Sequence, residues 1–242
     1  MAPAPLTWAI FFSIVNCHTK MDHHSKESIM GPQDRRLREL EERKKLILEK
    51  SRELFFQKGF DAVTIQDICE AVEFGRSAIY ALFESKEELY SHIYIDAIRI
   101  IIDLSARIDP EREDFDGEFL KIGEILFRFY DKYTDYFKVL SHFSTKGMVK
   151  SKIPARLLEE KERLYEESSR PFRQLLEKAM GRGLIREVDP EEFILLFYAS
   201  VIGIISLYIF AEEEQDREII HRAVMTHTVL YRDGLKQRGV MG

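Results

Sequence analysis

The chain of 242 residues is long enough for one large or two modest domains, and its 45% apolar and 32% charged residues are a globular composition. Cys17 and Cys69 are its only cysteines, which excludes a disulfide framework and points to a reducing cytoplasm. A net charge of −6 excludes the overall basicity by which many proteins attract nucleic acid, so any such contact has to be local.

Chain order begins with "LTWAIFFSIV" (Leu6 to Val15), an apolar run too short to span a bilayer and preceded by no Lys or Arg. The polar stretch after it shows no period. Residues 1–34 therefore read as a disordered leader, or as a start placed too early, with Met21 or Met30 as alternative initiators.

A helical period starts at Arg35. Leu40, Ile47, Ser51, Leu54 and Phe55 share one face, while acidic and basic residues alternate on the other. Lys58 and Gly59 suit the last turn and a left-handed C-terminal cap. Thr64 then opens a second, short helix, with Asp67 completing a capping box and with Ile65, Ile68, Cys69 and Val72 facing inward. After "EFG" a very short helix runs from Arg76 to about Leu82. Phe74, Ala78, Ile79 and Leu82 or Phe83 face inward, leaving Arg76, Ser77, Tyr80 and Ala81 outward. Ser85 caps a longer helix, with Glu88 at its third position, that reaches about Ile108. Two short helices braced by longer ones on either side have the build of a helix-turn-helix, whose second helix enters a DNA major groove.

The stretch "GFDAVTIQDICEAVEFGRSAIYALFESKEELY" resembles the amino-terminal signature of the TetR family of transcriptional regulators. The matching features are Gly59-Phe60, Thr64-Ile65, Asp67-Ile68, Ile79-Tyr80, Phe83 and Ser85-Lys86-Glu87-Glu88-Leu89, within Leu48 to Tyr90. Four positions depart from the pattern: Glu73 stands where glycine is usual in the turn, Gly75 where a serine cap is usual, Ala81 where a second tyrosine often occurs, and Leu82 where a polar or aromatic residue is common. A left-handed turn residue that is not glycine costs about 1–2 kcal/mol. The resemblance implies an all-α protein with a helix-turn-helix domain at 35–84 and a larger helical effector-binding and dimerisation domain at 85–242. It also implies that Thr64, Gly75, Arg76, Ser77, Tyr80 and Lys86 meet DNA. Arg76 suits a guanine edge, the Ser77 and Tyr80 hydroxyls suit phosphates, and Thr64 and Lys86 stand at helix starts that favour anions. Each of these, taken alone, is also an ordinary capping or solvated residue. From Arg36 to Tyr90 there are ten Lys or Arg against twelve Asp or Glu, so binding has to rely on local clustering, with Arg35, Arg36 and Arg38 as a possible basic arm.

Beyond this region every segment reads as helix. Phe115 to about Tyr133 carries a stripe of Phe119, Ile122, Leu126, Phe129 and Tyr133; Asp135 opens another with Tyr136, Phe137, Leu140 and Phe143. Ala155 to Met180 holds Leu158, Tyr165, Phe172, Leu175, Leu176 and Ala179, with a kink expected at Pro171. Gly181 and Gly183 end that helix. Asp189 caps the next, with Pro190 first. This helix, "FILLFYASVIGIISLYIF", has the length of a membrane span, but its caps and acidic stop fit a helix buried on both sides in a protein. A last helix covers Asp216 to about Arg232.

The aromatic residues Phe127, Tyr130, Tyr133, Phe137, Phe143, Tyr165 and Phe197 read singly as core, and together as candidates to line a largely apolar effector cavity among helices. Seven histidines show no ligand spacing, and no nucleophile motif, phosphate loop or carboxylate pair stands out, so neither metal, cofactor nor enzymatic chemistry is expected. By resemblance the protein is a homodimeric repressor released from operator DNA by a small molecule. The helices Ala155–Met180 and Pro190–Ala211 are then expected to form the dimer interface. The alternatives are a helical small-molecule carrier or a membrane-associated helical protein that binds no DNA.

Overall fold

A computed structural model describes residues 32–146, 150–209 and 216–236, so the expectation of a leader at 1–34 falls almost wholly outside the described residues. Among the described residues the regular structure is helical throughout. The α-helices are α1 (Pro32–Lys58), α2 (Ile65–Val72), α3 (Arg76–Tyr80), α4 (Lys86–Ser105), α5 (Phe115–Lys132), α6 (Thr134–Lys146), α7 (Ala155–Gly181), α8 (Pro190–Ile209) and α9 (Arg217–Leu235), and a 3-10 turn at Lys150–Lys152 precedes α7.

The chain divides after Glu42 into two units. In the first, residues 33–42 are all exposed, and Leu40, expected on the inward face, is 39% exposed. The second, from Arg43, holds the core. α1 contributes Ile47, Ser51 and Phe55 to it, and ends where Gly59 turns left-handed at φ +77° with its N–H on the Phe55 carbonyl at 2.9 Å. One apolar cluster is continuous from Ile47 to Leu235, so it crosses residue 84, where the sequence suggested a domain boundary. A smaller cluster joins α4 to α7 through Ile95, Ile98, Ile153, Leu157 and Leu164.

α4 is buried on several sides, at Leu89, Ile93, Ala97 and Ile100 towards one neighbour set and at Ile95 and Ile98 towards α7. α5 packs on α9 at very close range. A Cβ on Gly123 would lie 2.3 Å from the Thr228 hydroxyl, so only glycine allows the two backbones to approach this far. α7 runs unbroken through Pro171 and closes in a Schellman arrangement, with Leu184 N–H on Ala179 O and Gly183 N–H on Met180 O, both at 2.9 Å, and with Gly183 at φ +69°. Asp189 accepts the N–H groups of Glu191 at 2.9 Å and Glu192 at 3.2 Å, the expected cap of α8.

α8 is covered by its own chain on one side only. Ile194, Phe197, Val201 and Ile205 are buried, but Leu195, Leu196 and Leu207 are 59%, 51% and 78% exposed, and Ala199 and Gly203 lie on the same open side. It is the one helix among the described residues long and apolar enough to cross a membrane, yet only 22% of that apolar window is buried within the chain. One face packs against α7 and α9; the other is uncovered.

Candidate nucleic-acid interface

The reading end is built from short helices whose ends are locked by side chains. The Thr64 hydroxyl accepts the Asp67 N–H at 3.1 Å, and the Asp67 carboxylate takes the Thr64 N–H at 2.8 Å, the Thr64 hydroxyl proton, and the Lys58 ammonium at 2.9 Å. The Thr64 hydroxyl first, then Lys58, hold the Asp67 carboxyl well below the usual carboxylate range. Two turns later Glu73 takes the left-handed conformation at φ 57°, closing α2 with its N–H on the Cys69 carbonyl. The turn that glycine would make without strain is thus made here by a glutamate.

α3 is a single short helix standing on Ile79, wholly buried, and Phe83, 4% exposed. Gly75 at its N-cap is extended, and a Cβ there would meet only the Ser77 hydroxyl at 4.0 Å, so a side-chain cap is missing although there is space for one. Arg76, Ser77, Tyr80 and Ala81 all face solvent, with Tyr80 53% exposed. The Arg76 Nε donates to Gln66 Oε1 at 3.1 Å, and Gln66 Nε2 donates to Glu70 at 2.9 Å. Gln66 thereby aims the guanidinium from α2 while leaving its two terminal nitrogens outward. Sequence reasoning missed Gln66, because a contact ten residues apart across a turn has no periodic signature.

Two expected contacts are placed otherwise. Lys86 turns inward: its Nζ donates to the carbonyls of Phe60 and Val63, both at 2.8 Å, and lies 4.2 Å from the Phe60 ring centre. Two of its three N–H groups are used within the chain, closing the α1–α2 loop onto the start of α4. Thr64 likewise spends its hydroxyl proton on Asp67, so its part is to shape the first turn of α2 rather than to donate. Beneath both lies an aromatic floor in which Tyr90 meets Phe55 at 5.0 Å, Phe60 at 4.8 Å and Phe143 at 5.3 Å.

Six of the seven aromatic residues expected around one effector cavity fall into three ring groups, and the seventh, Tyr165, acts on both Tyr94 and Tyr198. Phe127, Tyr130, Tyr133 and Phe137 pack along α5 and α6 with Phe129; Phe143 packs on Tyr90 and Tyr94; Phe197 packs among Phe119, Phe172 and Tyr198. Phe137 and Phe197 are 3% and 0% exposed, so their rings are core. Tyr165 is partly buried on α7, and burial raises its phenol pKa, as it does those of Tyr94 and Tyr198, each of which also feels Tyr165. An open groove of about 540 Å³ lies instead between α8 and α9, lined by Ile204, Tyr208, Ile219, Arg222, Ala223, Thr226, His227 and Leu230, and by none of the seven. His227 there has both ring nitrogens buried without a partner, and burial lowers its pKa.

The family profile described as bacterial regulatory proteins, tetR family, matches residues 47–93, the span of these contacts. Residues 47–93 thus carry the TetR-type amino-terminal domain. It is 25% identical over 174 residues to the uncharacterised HTH-type transcriptional regulator YfiR of Bacillus subtilis, covering 70% of this chain and 81% of that one. It is 26% identical over 95 residues to IcaR of Staphylococcus epidermidis, the negative regulator of the icaADBC biofilm operon, covering 39% of this chain and 51% of IcaR. The crystal structure of the TetR-family regulator PfmR from Thermus thermophilus shares the fold, with a TM-score of 0.56 at 21% identity over 79% of this chain and 99% of that one. These likenesses support a DNA-binding transcriptional regulator, with α2 and α3 as its helix-turn-helix.

Proposed function

We propose that the chain is a cytoplasmic homodimeric repressor that leaves its operator when a small, largely apolar molecule binds within 85–242. The observation that carries the DNA-reading part is the division of α3. Its inward residue Ile79 is buried, as is Phe83 just after it, while Arg76, Ser77 and Tyr80 stand clear, with Arg76 aimed by Gln66. Arg76 is assigned to a base edge and Ser77 and Tyr80 to phosphates. Gly75, with no side chain, lets the backbone at the start of α3 come close to the duplex. Repression is favoured by the likeness to IcaR, itself a negative regulator.

Pairing is supported by the uncovered apolar face of α8, since apolar patches of this kind are rare on isolated chains. We assign the interface differently from the sequence expectation. α7 turns Arg156, Glu159, Glu162, Arg163 and Arg170 to solvent, whereas α9 adds Ile219 and Leu230, 40% and 66% exposed, beside α8. α8 and α9 are therefore assigned to the interface, in place of α7 and α8. Two copies joined this way present their α3 helices to successive major grooves, roughly 34–36 Å apart. An effector acts by favouring a spacing that fits the half-sites less well.

Selection of bound sequences from random duplex DNA, followed by a screen for compounds that release the winner, tests both parts. A single enriched palindrome supports the reading; failure to enrich any sequence refutes it.

A further inference from the structure

The helix that follows α3 is held at its first turn by the far end of the helical region. Ser85, the N-cap of α4, accepts the Glu88 N–H at 2.9 Å and donates its hydroxyl to the Lys152 carbonyl at 2.6 Å. Lys152 Nζ returns to Glu87 at 3.0 Å. Glu88 is 1% exposed; one of its oxygens accepts the Glu84 N–H at 2.7 Å and the other accepts the Arg156 guanidinium. Ile153 and Leu157, on either side of Arg156, are buried with Ile95 and Ile98 of α4. The segment 152–156 is thus anchored on α4 by apolar contacts and grips the residues that lead directly out of α3.

Glu88 makes this grip more than a surface ion pair. The Glu88 carboxylate is buried although the Arg156 side chain is 61% exposed, so loss of the arginine leaves a buried charge held by the Glu84 N–H alone. Glu84, whose N–H Glu88 holds, lies four residues beyond the end of α3, with no glycine between to absorb a rotation.

We propose that the segment 152–156 sets the direction of α3, so that Arg156 and Glu88 are positioning residues that fix which half-site spacing the protein accepts. The inference rests on the reading above that two copies read two half-sites. It makes the head of α7 a point at which any movement in the helical region reaches the DNA-reading helix without passing through the apolar core.

The test compares the parent, Arg156→Ala, Arg156→Lys and Glu88→Gln on the selected operator, on duplexes with half-sites one or two base pairs closer or farther apart, and on a single half-site, with thermal melting recorded for each. Glu88→Gln keeps the acceptor for the Glu84 N–H and removes only the charge pair, so it serves if Arg156→Ala fails to fold. The expected result is a loss of roughly fivefold or more on the selected operator, a flattened spacing preference, unchanged single half-site affinity, and recovery in Arg156→Lys. Folded variants that keep the parent's spacing preference overturn the proposal alone. A parent that shows no spacing preference overturns the paired reading, and the proposal with it.

Discussion

The two exposed surfaces of this molecule are built on opposite plans. At the α2–α3 end, the outward residues are few and polar, and the backbone that carries them is fixed by the Thr64–Asp67 box, the Lys86 clamp and the buried Ile79. On α8 and α9 the outward residues include the large apolar Leu195, Leu196, Leu207 and Leu230. A polar surface on a rigid mount suits a charged partner whose register matters, since hydrogen bonds and ion pairs are directional. An apolar surface suits a partner of the same kind, since burial is non-directional and scales with area. On the function proposed above, the molecule separates what it reads from what it pairs with, and each surface can be broken alone.

The largest expected effect is on the mount itself. Ile79→Ala empties a fully buried site under α3 and is expected to cost about 2–5 kcal/mol of stability, read by thermal or denaturant unfolding, with operator affinity falling in parallel. A variant as stable as the parent would show that α3 does not depend on the core beneath it.

Acid should weaken the same end next. His92 on α4 has its Nε2 buried without a partner and lies edge-on to Phe83 at 6.0 Å. Burial first, then Arg156, lower its pKa to about 4 from an ordinary 6.5, with Glu160 opposing. The folded state keeps the ring neutral and the unfolded chain binds the extra proton. The stability is therefore present in full above pH 6.5 and declines as pH falls towards 4. The loss reaches at most about 3 kcal/mol, at about 1.36 kcal/mol per pKa unit. Melting of the parent and His92→Leu from pH 7.5 to 4.5 checks this: the gap between their pH profiles should open below pH 6.5, and parallel profiles refute it.

Arg76→Ala and Tyr80→Ala separate reading from folding. Both side chains are exposed, so stability should move by less than about 0.5 kcal/mol, while operator binding weakens by roughly 1–3 kcal/mol where a bidentate base contact is lost. Loss of Arg76 should also relax preference at one position per half-site, whereas a phosphate contact would weaken all sequences alike. Parental affinity in both variants would remove α3 from the groove.

On the other surface, Gly203→Leu adds a bulky side chain where α8 is open and a partner helix can come close. Overpacking of this sort costs typically about 1–3 kcal/mol, so sedimentation should show at least a roughly fivefold weaker pair with unchanged helicity. An unmodified protein that is monomeric at micromolar concentration would remove the interface from α8.

The two regions also differ in how far the sequence disclosed them. Thr64 and Asp67, Gly59, Glu73, Ser85 and Asp189 were legible because a cap and its partner lie within four residues, where backbone geometry leaves few choices. The same holds for Arg76, Ser77 and Tyr80, whose exposure follows from the buried phase of Ile79 on a short helix. Gln66 under Arg76 and Arg156 on Glu88 were not legible, since their partners are set by how helices cross. The aromatic residues were legible in part for a related reason. Periodicity places Phe137 and Phe197 on inward faces but is silent on whether they face a cavity or other rings of the core, and here they face other rings. α8 looked buried all round because its apolar residues are read the same whether their cover is its own chain or another.

The smallest effect belongs to Lys86, and it sharpens the account of the reading end most. A helix-start lysine in this motif suggests a phosphate contact, but the ammonium here donates to the Phe60 and Val63 carbonyls and lies over the Phe60 ring. Lys86→Ala should leave those two carbonyls to water and loosen the α1–α2 loop, a loss of about 1 kcal/mol in stability, in line with hydrogen bonds to charged groups at part-exposed sites. Affinity for the operator should drop modestly through that loosening, by the same factor at each salt concentration. The slope of log affinity against log salt is the deciding measurement. Loss of a phosphate-bound lysine lowers it by about 1, as one fewer counterion is released, whereas loss of an internal clamp leaves it unchanged. A slope reduced by about 1 would put the Lys86 ammonium on the DNA backbone and free the loop carbonyls from it; an unchanged slope with a lower melting temperature would assign Lys86 to the rigid mount that carries Arg76 and Tyr80.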